Sequence, residues 1–106
     1  MGLLDLLFGG SKKAAYLKEL YTNGAVIIDV RTPEEFRSGH IKDSINIPLP
    51  SITQKIPSIK QKKKPVIAVC QSGGRSSMAV TALKNAGIEA YNGGGWSSLE
   101  KKLAHS

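Results

Sequence analysis

The stretch "PVIAVCQSGGRSSMAVTALKNAG", residues 65–87, decides the fold. It opens on "PVIAVC", an apolar run with β-branched residues. That is the pattern of a strand buried on both faces, as in a parallel sheet. It closes on "RSSMAVTALKNAG", which reads as a helix. Met78, Ala79, Ala82, Leu83 and Ala86 supply its apolar face, and Gly87 stops it. Between the two lies a short glycine loop. Gly73 and Gly74 let the backbone take conformations that a Cβ would forbid, so successive N–H groups can turn inward. The helix points its positive end at the same spot, and Arg75 adds a full charge. All three features favour a thiolate at Cys70. The blander alternative is a small buried cysteine that ends a strand. Two glycines, an arginine and a helix start within one short segment weigh against it.

Working outward, the same alternation recurs. Ser11 can cap a helix running to Tyr21, with Ala15, Leu17, Leu20 and Tyr21 on its apolar side. "TNG" at 22–24 ends it, and "AVIIDV" at 25–30 reads as another buried strand. Thr32, Pro33 and Glu35 form an N-cap, a favourable first residue and a capping box for a helix that Gly39 stops. "SINIP" at 44–48 is a short strand. Residues 51–60 read as a helical segment interrupted by Pro57. "IEAY" at 88–91 is a strand, "NGGG" at 92–95 a turn, and "WSSLEKKLA" a last helix. Strand and helix alternate without a hairpin signal, so the fold class is α/β, a mainly parallel sheet between helices. In such sheets the ligand crevice lies beyond the C-terminal ends of the strands. Cys70 falls at one such end and Asp29 near another.

The 106 residues suffice for one domain. Residues 1–10 form a short apolar segment and residues 11–106 the domain. Fifteen Lys and Arg against eight Asp and Glu give a net charge of +7, which attracts anions without choosing among them. A single cysteine excludes a disulfide scaffold, and with His40 and His105 as the only histidines no metal site is expected. The apolar run Leu3–Phe8 is too short for a spanning helix, carries Asp5 and is preceded by no basic residue. It reads as a short helix capping the domain, with a membrane-surface or partner contact as the alternative. A soluble, reducing, cytoplasmic location follows as the default. The basic run "KQKKKP" at 60–65 reads as a solvated loop: no aromatic residues interleave it, so neither nucleic acid nor membrane is expected as a partner.

The chain resembles single-domain rhodaneses, thiosulfate-type sulfurtransferases. "IIDVRTPEEFRSGHI" at 27–41 is similar to the family's first signature, "INIP" follows at 45–48, "CQSGGRS" matches the active-site loop, and "NGGGW" at 92–96 matches the closing glycine–tryptophan motif. The resemblance spans residues 11–104. It implies a three-layer rhodanese fold with Cys70 as the sulfur-accepting nucleophile. The N–H groups of Gln71, Ser72, Gly73, Gly74 and Arg75 would hold a charged persulfide. Asp29, Arg31 and Ser76 are expected as structural support, and no cofactor is implied. The expected partners are a small anionic sulfur donor and an external acceptor, cyanide or a thiol, with a thiol-bearing protein as one form of the latter.

Two other functions compete. Phosphatases and arsenate reductases of the same superfamily carry Cys-x5-Arg around a tetrahedral oxyanion. Here Cys70 to Arg75 is Cys-x4-Arg, a smaller ring that suits one added sulfur atom. Non-catalytic rhodanese modules usually lack the cysteine that this chain keeps. Two orientations stay open for Arg75: into the pocket, where it would hold an anionic donor, or back onto Glu34 or Glu35. His40 reads as a packed, hydrogen-bonded residue rather than a base, and Trp96 as core or pocket wall.

Overall fold

A computed structural model describes residues 3–104, with side chains from residue 12 onward. His105 lies outside the described residues. The elements alternate along the chain: α1 (Leu3–Thr22), β1 (Val26–Asp29), α2 (Pro33–Ser38), β2 (Ile45–Asn46), α3 (Ile52–Gln61), β3 (Val66–Cys70), α4 (Gly74–Asn85), β4 (Ala90–Gly95) and α5 (Trp96–Ala104). A 3-10 turn, Leu49–Ser51, leads into α3. The four strands form one sheet in the order β2-β1-β3-β4, and every neighbouring pair is parallel.

The pleat divides the core into two layers, because successive side chains of a strand face opposite ways. Ile28, Val66, Ala68 and Cys70 face one side, where Ile52 and Ile59 of α3 and Ala79 and Leu83 of α4 cover them. Ile27, Ile67 and Val69 face the other, against Leu17 of α1 and Leu99 of α5. Helix, sheet and helix therefore make the three layers expected of the sequence. Every residue of β3 is buried, which explains its continuous apolar run.

Four readings need correction. Ser11 does not start a helix; it lies inside α1, which runs unbroken from Leu3. Pro57 does not interrupt the segment after Ser51. It sits within α3, where Ile52 and Ile59 are buried and Ile56 packs on the core. Apolar anchoring at both ends outweighs the loss of one backbone hydrogen bond.

The glycines at 93–95 are strand rather than turn. Gly94 takes φ +77° where the β3–β4 register shifts opposite Ala68 and Val69, a bulge that glycine permits. A Cβ on Gly93 would stand 2.8 Å from Ile67 and 2.9 Å from Val69, so the strand packs closely only without side chains.

The apolar face of α4 is also rotated from its expected position. Ser76, Ala79, Val80 and Leu83 are its buried residues, whereas Met78 is 58% exposed. A polar residue, Ser76, takes the first place on that face because it meets Cys70.

Candidate active site

Cys70 ends β3, and the chain turns through Gln71–Gly73 into α4. The turn is possible because Gly73 adopts φ +108°, in the left-handed region that a side chain strains. That conformation aims the Gly73 N–H at the Cys70 Sγ, 3.0 Å away. The Ser76 N–H, in the first turn of α4, donates to the same sulfur at 3.4 Å. The Ser76 hydroxyl lies 3.3 Å from it. Cys70 is 1% exposed, so these bonds act in a medium poor in water.

Burial is the strongest single influence on the thiol and pushes its pKa up. The Ser76 hydroxyl, the Ser76 and Gly73 N–H groups and the Ser72 backbone together outweigh it, and the thiol ionises below its ordinary value. The loop is thus a set of donors converging on one sulfur.

Asn92 of β4 holds this set in place. Its side-chain amide donates to the Gly73 carbonyl at 3.1 Å. Its Oδ1 accepts from the Gly94 N–H at 2.9 Å and from the Ser76 hydroxyl at 2.7 Å. The first two bonds fix which way the amide points. Ser76 then has one proton and two acceptors. With Cys70 protonated, S–H can donate to Ser76 while Ser76 donates to Asn92. With Cys70 ionised, the hydroxyl proton turns to the sulfur, and Asn92 Oδ1 keeps Gly94. Sequence reading missed Asn92 because it was assigned to a turn; its place one residue before a glycine run in a strand was the available signal.

Arg75 follows the second of its two expected orientations. Its guanidinium clasps Glu35 with two bonds, 2.7 and 3.1 Å, at the partly exposed rim. Glu35 is the third residue of α2 and also serves the Thr32 capping box. Hydrogen bonding to Arg75 and then to the Thr32 N–H holds its carboxyl down to about 2.

Asp29 and Arg31 are both buried and form a bidentate ion pair, with Arg31 Nη2 2.7 Å from Asp29 Oδ2. Arg31 also donates to the Glu35 and Gly39 carbonyls and lies 4.8 Å from the centre of the Trp96 ring. The pair therefore ties the end of β1 to both ends of α2. His40 stacks on Phe36 and donates Nδ1–H to its carbonyl.

A 330 Å³ cavity flanks the loop, with Lys13, Ser72, Gly73, Asn92 and Lys102 among its walls. Cys70 does not line it. A second hollow, by the Lys60–Lys64 run, lies elsewhere and shares no residue with the loop.

Residues 13–102 match the Rhodanese-like domain family. The chain belongs to that family. Thiosulfate sulfurtransferase 16, chloroplastic, of Arabidopsis thaliana is 35% identical over 96 residues, covering 78% of this chain and 80% of that protein. The Arabidopsis thaliana protein HIGH ARSENIC CONTENT 1, mitochondrial, is 33% identical over 94 residues, covering 76% of this chain but only 56% of that protein. A rhodanese with anions from E. coli superposes with a TM-score of 0.66 at 30% identity, over 78% of this chain and 95% of that one. A rhodanese-like domain with sulfurtransferases among its relatives thus has its single cysteine where the converging donors of this fold meet. Among the described residues, no helix is long and apolar enough to cross a membrane.

Proposed function

We propose that the chain is a sulfurtransferase that carries sulfane sulfur on Cys70 as a persulfide. One observation carries this reading: a buried sulfur at the end of β3 receives the Gly73 and Ser76 N–H groups at the start of α4. The Cys70 thiolate attacks the outer sulfur of a donor such as thiosulfate. A new S–S bond forms, the donor's S–S bond breaks, and its electron pair leaves on sulfite. An acceptor, cyanide or a thiol, then attacks the outer sulfur of the persulfide and returns the electron pair to Cys70. This is two-step covalent catalysis.

The N–H groups of Gln71, Ser72, Gly74 and Arg75 are the candidates to hold the outer sulfur, while Gly73 and Ser76 serve the inner one. Asp29 and Arg31 support the site through α2. The 106 residues contain one cysteine, so no disulfide within them can discharge the persulfide, and the acceptor comes from elsewhere. A small thiol, cyanide or the cysteine of a partner protein fits that role.

The Cys-x4-Arg ring and the engagement of Arg75 by Glu35 both weigh against an oxyanion-holding phosphatase or arsenate reductase. Thiocyanate formation from thiosulfate and cyanide tests the proposal, with Cys70→Ser as the control. Turnover is expected to vanish in the variant. Undiminished turnover there would refute the assignment.

A further inference from the structure

The 330 Å³ cavity beside the loop takes no part in the steps above, because Cys70 does not line it. It is nevertheless one residue away. Gly73 forms part of its wall and donates its N–H to the Cys70 Sγ at 3.0 Å. Ser72, the preceding loop residue, lines it as well. The floor is the edge strand β4, bare backbone where the glycines run. A Cβ on Gly94 would meet nothing within 4 Å, so the strand leaves open space there.

Charge and size narrow what could fill that space. α1 brings Lys13 to the cavity and α5 brings Lys102. Among the described residues neither lysine has an ion-pair partner, and no carboxylate lines the cavity. Two like charges at one cavity repel each other until an anion enters. Ala14 and Leu17 make one wall apolar, which suits the carbon frame of an organic anion and not a bare oxyanion. The volume points the same way, since sites for small organic molecules start at about 300 Å³.

We propose that this cavity seats the sulfur acceptor, a small organic thiol whose carboxylates meet Lys13 and Lys102 while its sulfur crosses the Ser72–Gly73 rim. The inference rests on the persulfide reading above and narrows the acceptor it leaves open. The thiol enters as R–S⁻ and attacks the outer sulfur of the protonated persulfide. A bond from R–S to that sulfur forms, the Cys70–S bond breaks, its electron pair returns to Cys70, and R–S–SH leaves with the proton.

Lys13→Gln/Lys102→Gln removes both charges from exposed helical positions and keeps residues of similar helix propensity. Discharge of preloaded Cys70 would be followed by intact mass against acceptor concentration. Glutathione, its diethyl ester and sulfite are the probes, in about 0.15 M salt, where charges more than ~8 Å apart are largely screened. The double variant should need about tenfold more glutathione, ~1.4 kcal/mol. The ester, which lacks the carboxylates, and sulfite, too small to span the cavity, should each change by less than about threefold, well short of that step. Lys13→Arg/Lys102→Arg should restore most of the glutathione response. An unchanged glutathione requirement, or an equal loss with the ester or with sulfite, would overturn the inference alone. A second measurement needs no persulfide: S-methylglutathione added to Cys70→Ser should shift the amide resonances of Ser72, Gly73, Gly94 and Ser98, and the two Lys→Gln changes should abolish the shifts. Shifts that survive those changes, or that fall elsewhere, would also overturn it. Failure of Cys70 to load from any sulfane donor would overturn the persulfide reading, and the acceptor role with it.

Discussion

At the scale of single residues, the site depends on where a few protons go. Cys70 and its loop were legible in the sequence because chemistry is written there as residue type and spacing: one thiol, two glycines and a helix start. Asn92 was not, because its role comes from a sheet register that no local pattern encodes. Two predictions belong at this scale. Ser76→Ala removes the hydroxyl that offsets burial at the sulfur, so the thiol should ionise at higher pH. Its alkylation rate at pH 7 should fall by about tenfold, as expected for losing a hydrogen bond to a charged group. The plateau at high pH should be kept. A pH–rate profile with iodoacetamide reads this directly, and a profile superimposable on the wild type would contradict it. Asn92→Asp keeps an acceptor for Ser76 but puts an oxygen against the Gly73 carbonyl and a negative charge beside the thiolate. Its profile should move the same way and further; a shift to lower pH would contradict the placement of Asn92.

At the scale of elements, the strands and helices were read well where local and global demands agree. The apolar runs of β1 and β3 and the capping box of α2 are of this kind. The reading failed where packing overrides propensity. The glycines of β4 look like a turn until Ile67 and Val69 are seen pressing on Gly93. Likewise, the apolar face of α4 includes a serine because its neighbour is a cysteine. The two glycines then differ in what they guard. Gly93→Ala would thrust a methyl between Ile67, Val69 and Leu99 and should cost about 1–3 kcal/mol in urea unfolding. Gly95→Ala would bring its Cβ to 2.8 Å from the Gln71 carbonyl, the backbone of the loop itself. Its signature should be slower loading of Cys70 beyond what its loss of stability explains. Equal behaviour of the two variants in both assays would show that the loop does not rest on β4.

At the scale of the whole molecule, the parallel sheet and its two helical layers followed from the alternation of elements. The strand order β2-β1-β3-β4 did not, since non-local pairing leaves no sequence period behind. The fold and the thiol are linked through pH. A thiol with a folded pKa below its unfolded value, about 8.5, leaves the unfolded chain holding more protons between the two values. Stability from this source is complete above the unfolded value and is lost as pH falls through the folded one. The difference in unfolding free energy between wild type and Cys70→Ala should therefore move in favour of the wild type as pH rises from 6 toward 9. Urea melts at both ends of that range check the sign, and a gap that is flat or reversed would mean that the loop does not stabilise the thiolate.

The central claim is that the sulfur of Cys70 accepts and carries another sulfur. Intact mass spectrometry after brief exposure to a sulfane donor and removal of the excess tests it most directly. The wild type should gain one sulfur atom, ~32 Da, lose it on adding cyanide, and Cys70→Ser should gain nothing. A wild-type chain that stays unmodified with both thiosulfate and glutathione persulfide, or a Cys70→Ser chain that gains the same mass, would contradict the account.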